Sequence, residues 1–511
     1  MLSSLHSAAV IGVHGFPVEV EVYVGHGFAE NGAVVVGLPD AAVRESRDRV
    51  KAAIENSGFK NPDSRVTINL APANMRKEGP LFDLPIALGM LEASGQVQLQ
   101  KSQSCICVGE LALNGSVRPV RGILPMALMA RDQGKKVMLV PQANAEEASV
   151  VEGLTIHAID NLRTAVEWMT GRMELEPYIS RHKHENHHSA HELDFSDVKG
   201  QEEVKRAIEI AVAGGHNVLM IGPPGSGKSM LAKRIPSIMP GMSREEMLEV
   251  TRIHSVVGLL PSGQSLVRHR PFRSPHHTIS DIGLSGGSMH LTPGEISLSH
   301  NGVLFMDELP EFKRSALEVL RQPLEDGEVT ISRASGTLTF PARFMLVAAM
   351  NPTPTGKFSD SSEGRVSAGA VQKYLNKISG PLLDRIDLHV EVSALKHDTL
   401  LNPAPAEPSS SIRQRVEAAR TTQLKRFSGR ARLWCNGQMG QKEIKKHITL
   451  SDESKDLLRQ AMTDLNLSAR AYDRILKVSR TIADLAGETH VQIDHLSEAI
   501  SFRSLDRQLW G

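Results

Sequence analysis

The chemistry available to this chain is concentrated first in eight residues. Gly222-Pro223-Pro224-Gly225-Ser226-Gly227-Lys228-Ser229 has the spacing G-x-x-x-x-G-K-[ST], preceded by the apolar run 218–221 and followed by a helical pattern from 230 to 235. Glycines at these positions let the backbone form a nest of N–H groups aimed at phosphate oxygens, and the following helix adds the positive end of its dipole. Lys228 then neutralises charge on the β- and γ-phosphates, and the Ser229 hydroxyl reaches Mg²⁺. The pattern predicts a site for a nucleoside triphosphate with Mg²⁺.

Two further strand ends supply what such a site lacks. The apolar run 302–306 closes in Asp307 and Glu308, about 80 residues after the loop. A carboxylate delivered by a buried strand joins the metal shell, and the adjacent glutamate can orient and deprotonate the attacking water. That second acid favours hydrolysis over transfer to a substrate hydroxyl. The run 344–350 ends in Asn351, whose amide either holds the attacking water or γ-phosphate or merely caps the turn before Pro352. Beside the other two motifs the first role is preferred.

These side chains need a framework, and the pattern predicts an α/β one. Residues 1–172 alternate strand-like runs (18–24, 33–38, 65–70, 136–140) with helical stretches (40–56, 84–93, 124–133) and read as one α/β domain. Residues 173–194 lose periodicity and carry His182, His184, His187, His188 and His191; an interdomain linker is preferred to a metal site there. Residues 195–393 form the phosphate-binding core with a parallel sheet, 394–411 a Pro/Ser-rich linker, and 412–511 an all-helical segment with helices expected over 412–427, 451–465, 468–486 and 493–507.

Composition removes other classes. The 511 residues carry 58 basic and 58 acidic side chains, so any polyanion must be held by a local patch. Aromatics at 4% argue against long base-stacking platforms. Cys105, Cys107 and Cys435 make neither a disulfide framework nor a four-thiolate zinc site. The first residues lack a cationic region and a clean apolar core, and nowhere do 18 apolar residues run together, so neither a signal peptide nor a membrane partner is expected and the location expected is cytoplasmic.

From 195 onward the chain resembles AAA+ ATPases of the magnesium-chelatase type. The resemblance rests on GPPGSGKS, RPFRSPHHTISDIGLSGGS, GVLFMDELPEF, VAAMNP and SGPLLDRIDLHVEV, and over its whole length the chain resembles the YifB/ComM family. That resemblance implies further roles. Arg385 in LLDRID takes the arginine-finger position, acting on a neighbouring subunit's ATP, which implies a homo-hexameric ring. Arg470 in LSARAYDRIL takes the sensor-2 position in a helical lid, while Arg474 and Arg480 are expected on the lid face. Residues 328–340 read as a β-hairpin placed as this clade places its pre-sensor hairpin, with Arg333 near the tip either touching a phosphate backbone or remaining solvated. The Gly/His-rich stretch 273–287 corresponds to the helix-2 insert, a candidate substrate loop; His276 and His277 have no evident third ligand, so a metal site is rejected there.

The first domain resembles the catalytic domain of Lon protease, with Lys77-Glu-Gly-Pro80 and the stretch 108–122 carrying the likeness. Leu81 stands at the nucleophile's place, and Leu124 or Pro125 at the lysine's, and neither can perform the chemistry. Proteolysis is not expected; ring assembly or DNA contact through Arg65, Arg76, Lys77, Arg118 and Arg121 is. Relatives carry cysteines after the residue matching Asn351, whereas 351–374 here has none, so no zinc is expected there.

The function implied by the family resemblance is DNA translocation or branch migration driven by ATP hydrolysis, during recombination in natural transformation. Residues 412–450 lend this some support: ten basic residues, Lys425, Arg426 and Arg430 among them, face only Glu417 and Glu443, although such a stretch can equally be a solvated or paired surface. The alternative is a motor that remodels a protein complex, like a magnesium-chelatase ATPase subunit. The roughly 190 residues before the core favour the first, because chelatase motor subunits are expected to begin at the core.

Overall fold

A computed structural model describes residues 1–28, 33–180, 193–261, 263–287, 291–333, 336–354, 368–394, 406–430, 433–465 and 467–505. The chain divides into two units, Met1–His187 with Arg244–Arg268, and His188–Ser243 with His269–Gly511. The histidine tract of 173–194 lies largely outside the described residues, as does most of 394–411.

In the first unit nine strands are numbered in chain order. They are β1 (Leu2–Ile11), β2 (His14–Phe28), β3 (Val34–Val36), β4 (Ser64–Ala71), β5 (Cys105–Cys107), β6 (Glu110–Leu111), β7 (Val117–Arg118), β8 (Val137–Pro141) and β9 (Thr155–Ile159). Seven form one sheet in the order β3-β4-β2-β1-β5-β8-β9. Period-two alternation separates two cores: Cys105, Cys107 and Leu139 join one, and Ile106, Met138 and Val140 the other. The helices Ala41–Asn56 and Asp83–Ala93 begin within a residue of their expected starts, the first capped by Asp40 accepting from the Val43 N–H at 2.7 Å.

Two sequence expectations change in this unit. Residues 244–268, read as part of the core domain, pack here: the helix Arg244–Val257 accepts from the Gly122 N–H through the Ser255 carbonyl at 3.2 Å, and the Ser255 hydroxyl donates to Glu147 at 2.5 Å. Lys77 is no DNA contact, because it is fully buried and its ammonium donates to the Pro72 carbonyl. Arg118 is engaged by Glu110 at 3.2 Å. At the positions aligned with the protease residues, Leu124 is wholly buried and Leu81 packs against the core.

The second unit contains a five-stranded parallel sheet. Its strands are β10 (Val218–Ile221), β11 (Phe272–Arg273), β12 (Val303–Met306), β15 (Met345–Met350) and β16 (Leu388–Glu391), in the order β11-β12-β15-β10-β16. Every residue of β10, β12 and β15 is buried, so both faces of these strands are covered, which is why they read as unbroken apolar runs. Between β12 and β15 the strands β13 (Glu328–Arg333) and β14 (Gly336–Pro341) form the expected antiparallel hairpin, with Arg333 opposite Gly336. Its two tip residues, 334–335, lie outside the described residues.

The C-terminal helices Ser409–Arg426, Ala469–Leu485 and Ile493–Ser501 share one hydrophobic cluster with the sheet and the helix Glu202–Gly214. Ser451 and Ser468 cap the helices they precede, accepting from Ser454 and Ala471 backbone N–H groups. Arg426, expected as a DNA contact, is instead turned inward: its guanidinium donates to both oxygens of Asp484 at 2.5 and 2.7 Å. Asp484 also accepts from Arg480, which is 1% exposed and therefore not a lid-face residue. Arg415 is likewise engaged, by Glu209 and Glu407, each at 2.5 Å. The local excess of positive charge is thus partly consumed by acids supplied from elsewhere in the unit. Lys425 is exposed, and Arg430 is exposed at 4.0 Å from Glu443.

Asp484→Ala leaves two buried guanidinium groups without their carboxylate, at a cost of about 3–5 kcal/mol. It should lower the urea midpoint of unfolding strongly, whereas Lys425→Ala should change stability by less than about 0.5 kcal/mol.

Candidate nucleotide site

Parallel pairing brings the carboxyl ends of β10, β15 and β12 to one edge of the sheet, the place where open α/β sheets bind ligands. The glycine loop leaves β10 there. Gly225 and Gly227 have φ of +77° and +94°, in the left-handed region, and a Cβ at Gly222 would lie 2.1 Å from the Val392 carbonyl oxygen. Ser226 turns its hydroxyl inward, buried and without a partner among the described residues. Pro223 and Pro224 lie between Gly222 and Gly225, and the helix Lys228–Ile238 begins directly after Gly227.

The side chains converge. Lys228 Nζ donates to the carbonyls of Gly222 at 2.7 Å and Pro223 at 2.9 Å, and to Asn351 Oδ1 at 3.3 Å. Burial holds its ammonium below the usual lysine range, opposed by the charges of Asp307 and Glu308. Ser229 Oγ donates to Asp307 Oδ2 at 2.6 Å, and the Glu308 N–H donates to Asp307 Oδ1 at 3.0 Å. A hydroxyl and a carboxylate meeting in this way are the oxygen donors a hard divalent cation takes, so Ser229 and Asp307 fit Mg²⁺. Bound there, Mg²⁺ would neutralise phosphate charge. Asn351 is steadied from behind: Tyr374, whose phenol burial pushes up to about 12, donates to the Asn351 carbonyl at 3.2 Å.

Arg385 and Arg470 form a different group. Arg385 is 8% exposed on its side chain, pairs with Glu325, and donates to the Pro381 carbonyl at 2.7 Å. The Arg385 guanidinium holds the Glu325 carboxyl below its ordinary range, with smaller contributions from Arg470 and Arg474. Arg470 itself is exposed in the first turn of the helix Ala469–Leu485. Among the described residues neither arginine makes a hydrogen bond or ion pair with the glycine loop, Asp307 or Asn351. Arg474 proves to be a tie between lid and sheet: it donates to the Asp384 carbonyl at 2.7 Å and pairs with buried Asp387.

One neighbour of the site escaped sequence reading. His277, in the insert after β11, places Nδ1 3.3 Å from Glu308 Oε2. The available signal was topological: β11 pairs in parallel with β12, so the residues after it emerge beside Asp307 and Glu308. Among the described residues no group of three or more His, Cys, Asp or Glu stands ready for a metal ion, and no helix is long and apolar enough to cross a membrane.

Lys228→Ala should weaken ATP affinity about 10- to 100-fold, the worth of a charge-assisted hydrogen bond. Asp307→Asn should leave affinity in EDTA unchanged while removing the gain that Mg²⁺ brings. Fluorescent-nucleotide titrations with and without Mg²⁺ measure both.

Comparison with known proteins agrees with this geometry. Residues 194–400 match the family model for magnesium chelatase, subunit ChlI; 406–503 match its C-terminal model; and 20–144 match the model for subunit ChlI of Mg-chelatase. Competence protein ComM of Haemophilus influenzae is 43% identical over 511 residues, covering 99% of this chain and 98% of that one. The uncharacterized protein YifB of Escherichia coli is 44% identical over 514 residues, with the same coverage of 99% and 98%. The magnesium-chelatase subunit ChlI of Olisthodiscus luteus is 22% identical over 324 residues, which span 60% of this chain and 87% of that protein. With a parallel phosphate-binding sheet, a helical C-terminal region and full-length likeness to these relatives, the chain belongs to the YifB/ComM family of magnesium-chelatase-type AAA+ proteins.

Proposed function

We propose that this protein is an Mg²⁺-dependent ATPase that assembles into a homo-hexameric ring and couples hydrolysis to DNA translocation and branch migration, in the recombination that accompanies natural transformation. The observation that carries the reading is the convergence of Lys228, Ser229, Asp307, Glu308 and Asn351 at one sheet edge, in a chain that matches a competence protein along its full length. Lys228 and the loop N–H groups bind the phosphates, Glu308 takes a proton from the attacking water, and Asn351 orients that water or the γ-phosphate. Arg385 leaves Glu325 to serve the ATP of the next subunit, and Arg470 reads the γ-phosphate from the lid. Charge spreading over the phosphoryl oxygens in the transition state is what both arginines stabilise.

DNA contact is assigned to Arg333 at the hairpin and to exposed Lys425 and Arg430; Arg426 is withdrawn from that set because Asp484 holds it. The first domain serves assembly rather than proteolysis, since Leu81 and either Leu124 or Pro125 stand where the dyad would be. A cytoplasmic location without a zinc site completes the reading. The second reading, a protein-remodelling motor, is favoured by the chelatase family models; the chelatase relative, however, aligns with only 60% of the chain, against 99% for ComM.

ATP turnover measured without DNA and with single-stranded, duplex and branched DNA separates the two. Stimulation by DNA is expected, with Glu308→Gln lowering turnover about 10²- to 10⁴-fold and abolishing junction movement. Turnover that ignores DNA and answers only to a protein partner supports the remodelling motor instead.

A further inference from the structure

Directly after Glu308 the chain makes the single turn Leu309–Glu311, and the Glu311 N–H donates to the Glu308 carbonyl at 2.8 Å. Between this turn and one side of the helix Ala368–Leu375 lies a cleft of about 670 Å³, within the size range of ligand pockets. Its charges do not balance. Arg314, Lys373 and Lys377 line it against one carboxylate, Glu311. That carboxylate is taken by Lys377, whose ammonium donates to it at 3.1 Å and lies 5.7 Å from the centre of the Tyr374 ring. Arg314 and Lys373 are both exposed. Among the described residues Lys373 makes no hydrogen bond or ion pair, and Arg314 supplies only a minor attraction for Glu318. Elsewhere in this unit Arg415, Arg426 and Arg480 are each met by an acid. Two unmet cations facing one cleft, in a chain with equal numbers of acids and bases, suit an anion from outside the fold.

The neutral lining narrows that anion. The aromatic ring in the cleft, Phe312, is 3% exposed and offers no open face for stacking a base, so recognition falls on a backbone. Gln372 donates to Asn376 at 3.1 Å, and both exposed amides keep further donors and acceptors for sugar or phosphate oxygens. The triphosphate site at 222–229 gathers loop N–H groups and Mg²⁺ ligands at one point. Here the two cations stand on separate elements, which matches phosphates spaced along a strand.

We propose that this cleft binds the sugar–phosphate backbone of single-stranded DNA, with Arg314 and Lys373 each meeting one phosphate. The proposal rests on DNA being the substrate, and it adds a contact to those assigned to the hairpin and the C-terminal helices. The cleft also adjoins the hydrolytic site: the turn on one side continues from Glu308, and Tyr374 on the other donates to the Asn351 carbonyl at 3.2 Å. A strand seated there bears on both residues assigned to the attacking water.

The test is fluorescence anisotropy of a labelled oligothymidylate, and of a labelled duplex, titrated with full-length protein over a range of salt. The proteins compared are the parent, Arg314→Ala, Lys373→Ala, the double variant R314A/K373A, and Lys455→Ala as an exposed cation elsewhere. Arg314→Ala and Lys373→Ala should each weaken single-strand binding about fivefold at low salt, and the double variant about 25-fold. The slope of log affinity against log salt should shrink by about 0.7 for each of these two cations removed. Lys455→Ala should match the parent in both. A fluorescent ATP analogue should bind every variant within about twofold of the parent, which certifies folding. Parental affinity and salt slope in R314A/K373A overturn the proposal and leave the translocase reading standing. Equal losses for duplex overturn the single-strand assignment. Losses confined to the ATP analogue, or to subunit assembly on sizing, give the cleft another occupant and overturn it too. A parent that binds no DNA removes the translocase reading and the proposal with it.

Discussion

The meeting of Lys228, Ser229, Asp307 and Asn351 depends on β12, β15 and β10 being paired in parallel and in register. Parallel strands all finish at the same edge, so the residues that follow each of them, Asp307, Asn351 and the glycine loop, meet without further folding. The register is pinned at the opposite edge by Asn217. Its side chain accepts from the Leu346 N–H at 2.9 Å and donates to the Arg385 carbonyl at 3.0 Å, while its own N–H donates to Asp387 at 2.8 Å. One buried amide thus aligns the entrances of β10, β15 and β16 and fixes the backbone that carries Arg385.

The same region joins the lid to the sheet. Asp387 is fully buried, a desolvation cost offset by the Arg474 guanidinium and the Asn217 N–H, which together hold its carboxyl below the usual range. Arg474 comes from the helix whose first turn carries Arg470, so the position of that helix is tied to the segment 384–387 that carries Arg385. Glu325 completes the arrangement by holding Arg385 within its own chain. On the proposed reading, a ring closing around nucleotide would exchange that carboxylate for phosphate oxygens of a neighbour, so that Arg385 becomes available only on assembly.

Much of this was legible in the sequence, and the reason is physical. Loop spacing and apolar strands ending in acids are local signals, each set by a few consecutive residues. What escaped was set by partners far along the chain. Arg426 looks like a surface cation until Asp484, 58 residues later, is seen to bury it. The helix Arg244–Val257 has an amphipathic pattern that fits either unit, and only its contacts with Gly122 and Glu147 assign it to the first. His277 carries no local mark of its nearness to Glu308, because that nearness comes from the parallel pairing of β11 with β12. Equal numbers of acids and bases likewise conceal where the charges meet.

The central claim is that a site built on one chain's sheet edge is completed by Arg385 of the next chain. Mixing Glu308→Gln subunits with Arg385→Ala subunits tests it directly. Each variant alone should be nearly inactive, at about 1% of parental turnover or less. In an equimolar mixed ring, an intact Glu308 site meets an intact neighbouring Arg385 at about a quarter of positions, so ATP turnover should recover to roughly that fraction. Turnover that stays at the level of the separate variants, in rings shown to contain both, would contradict the account.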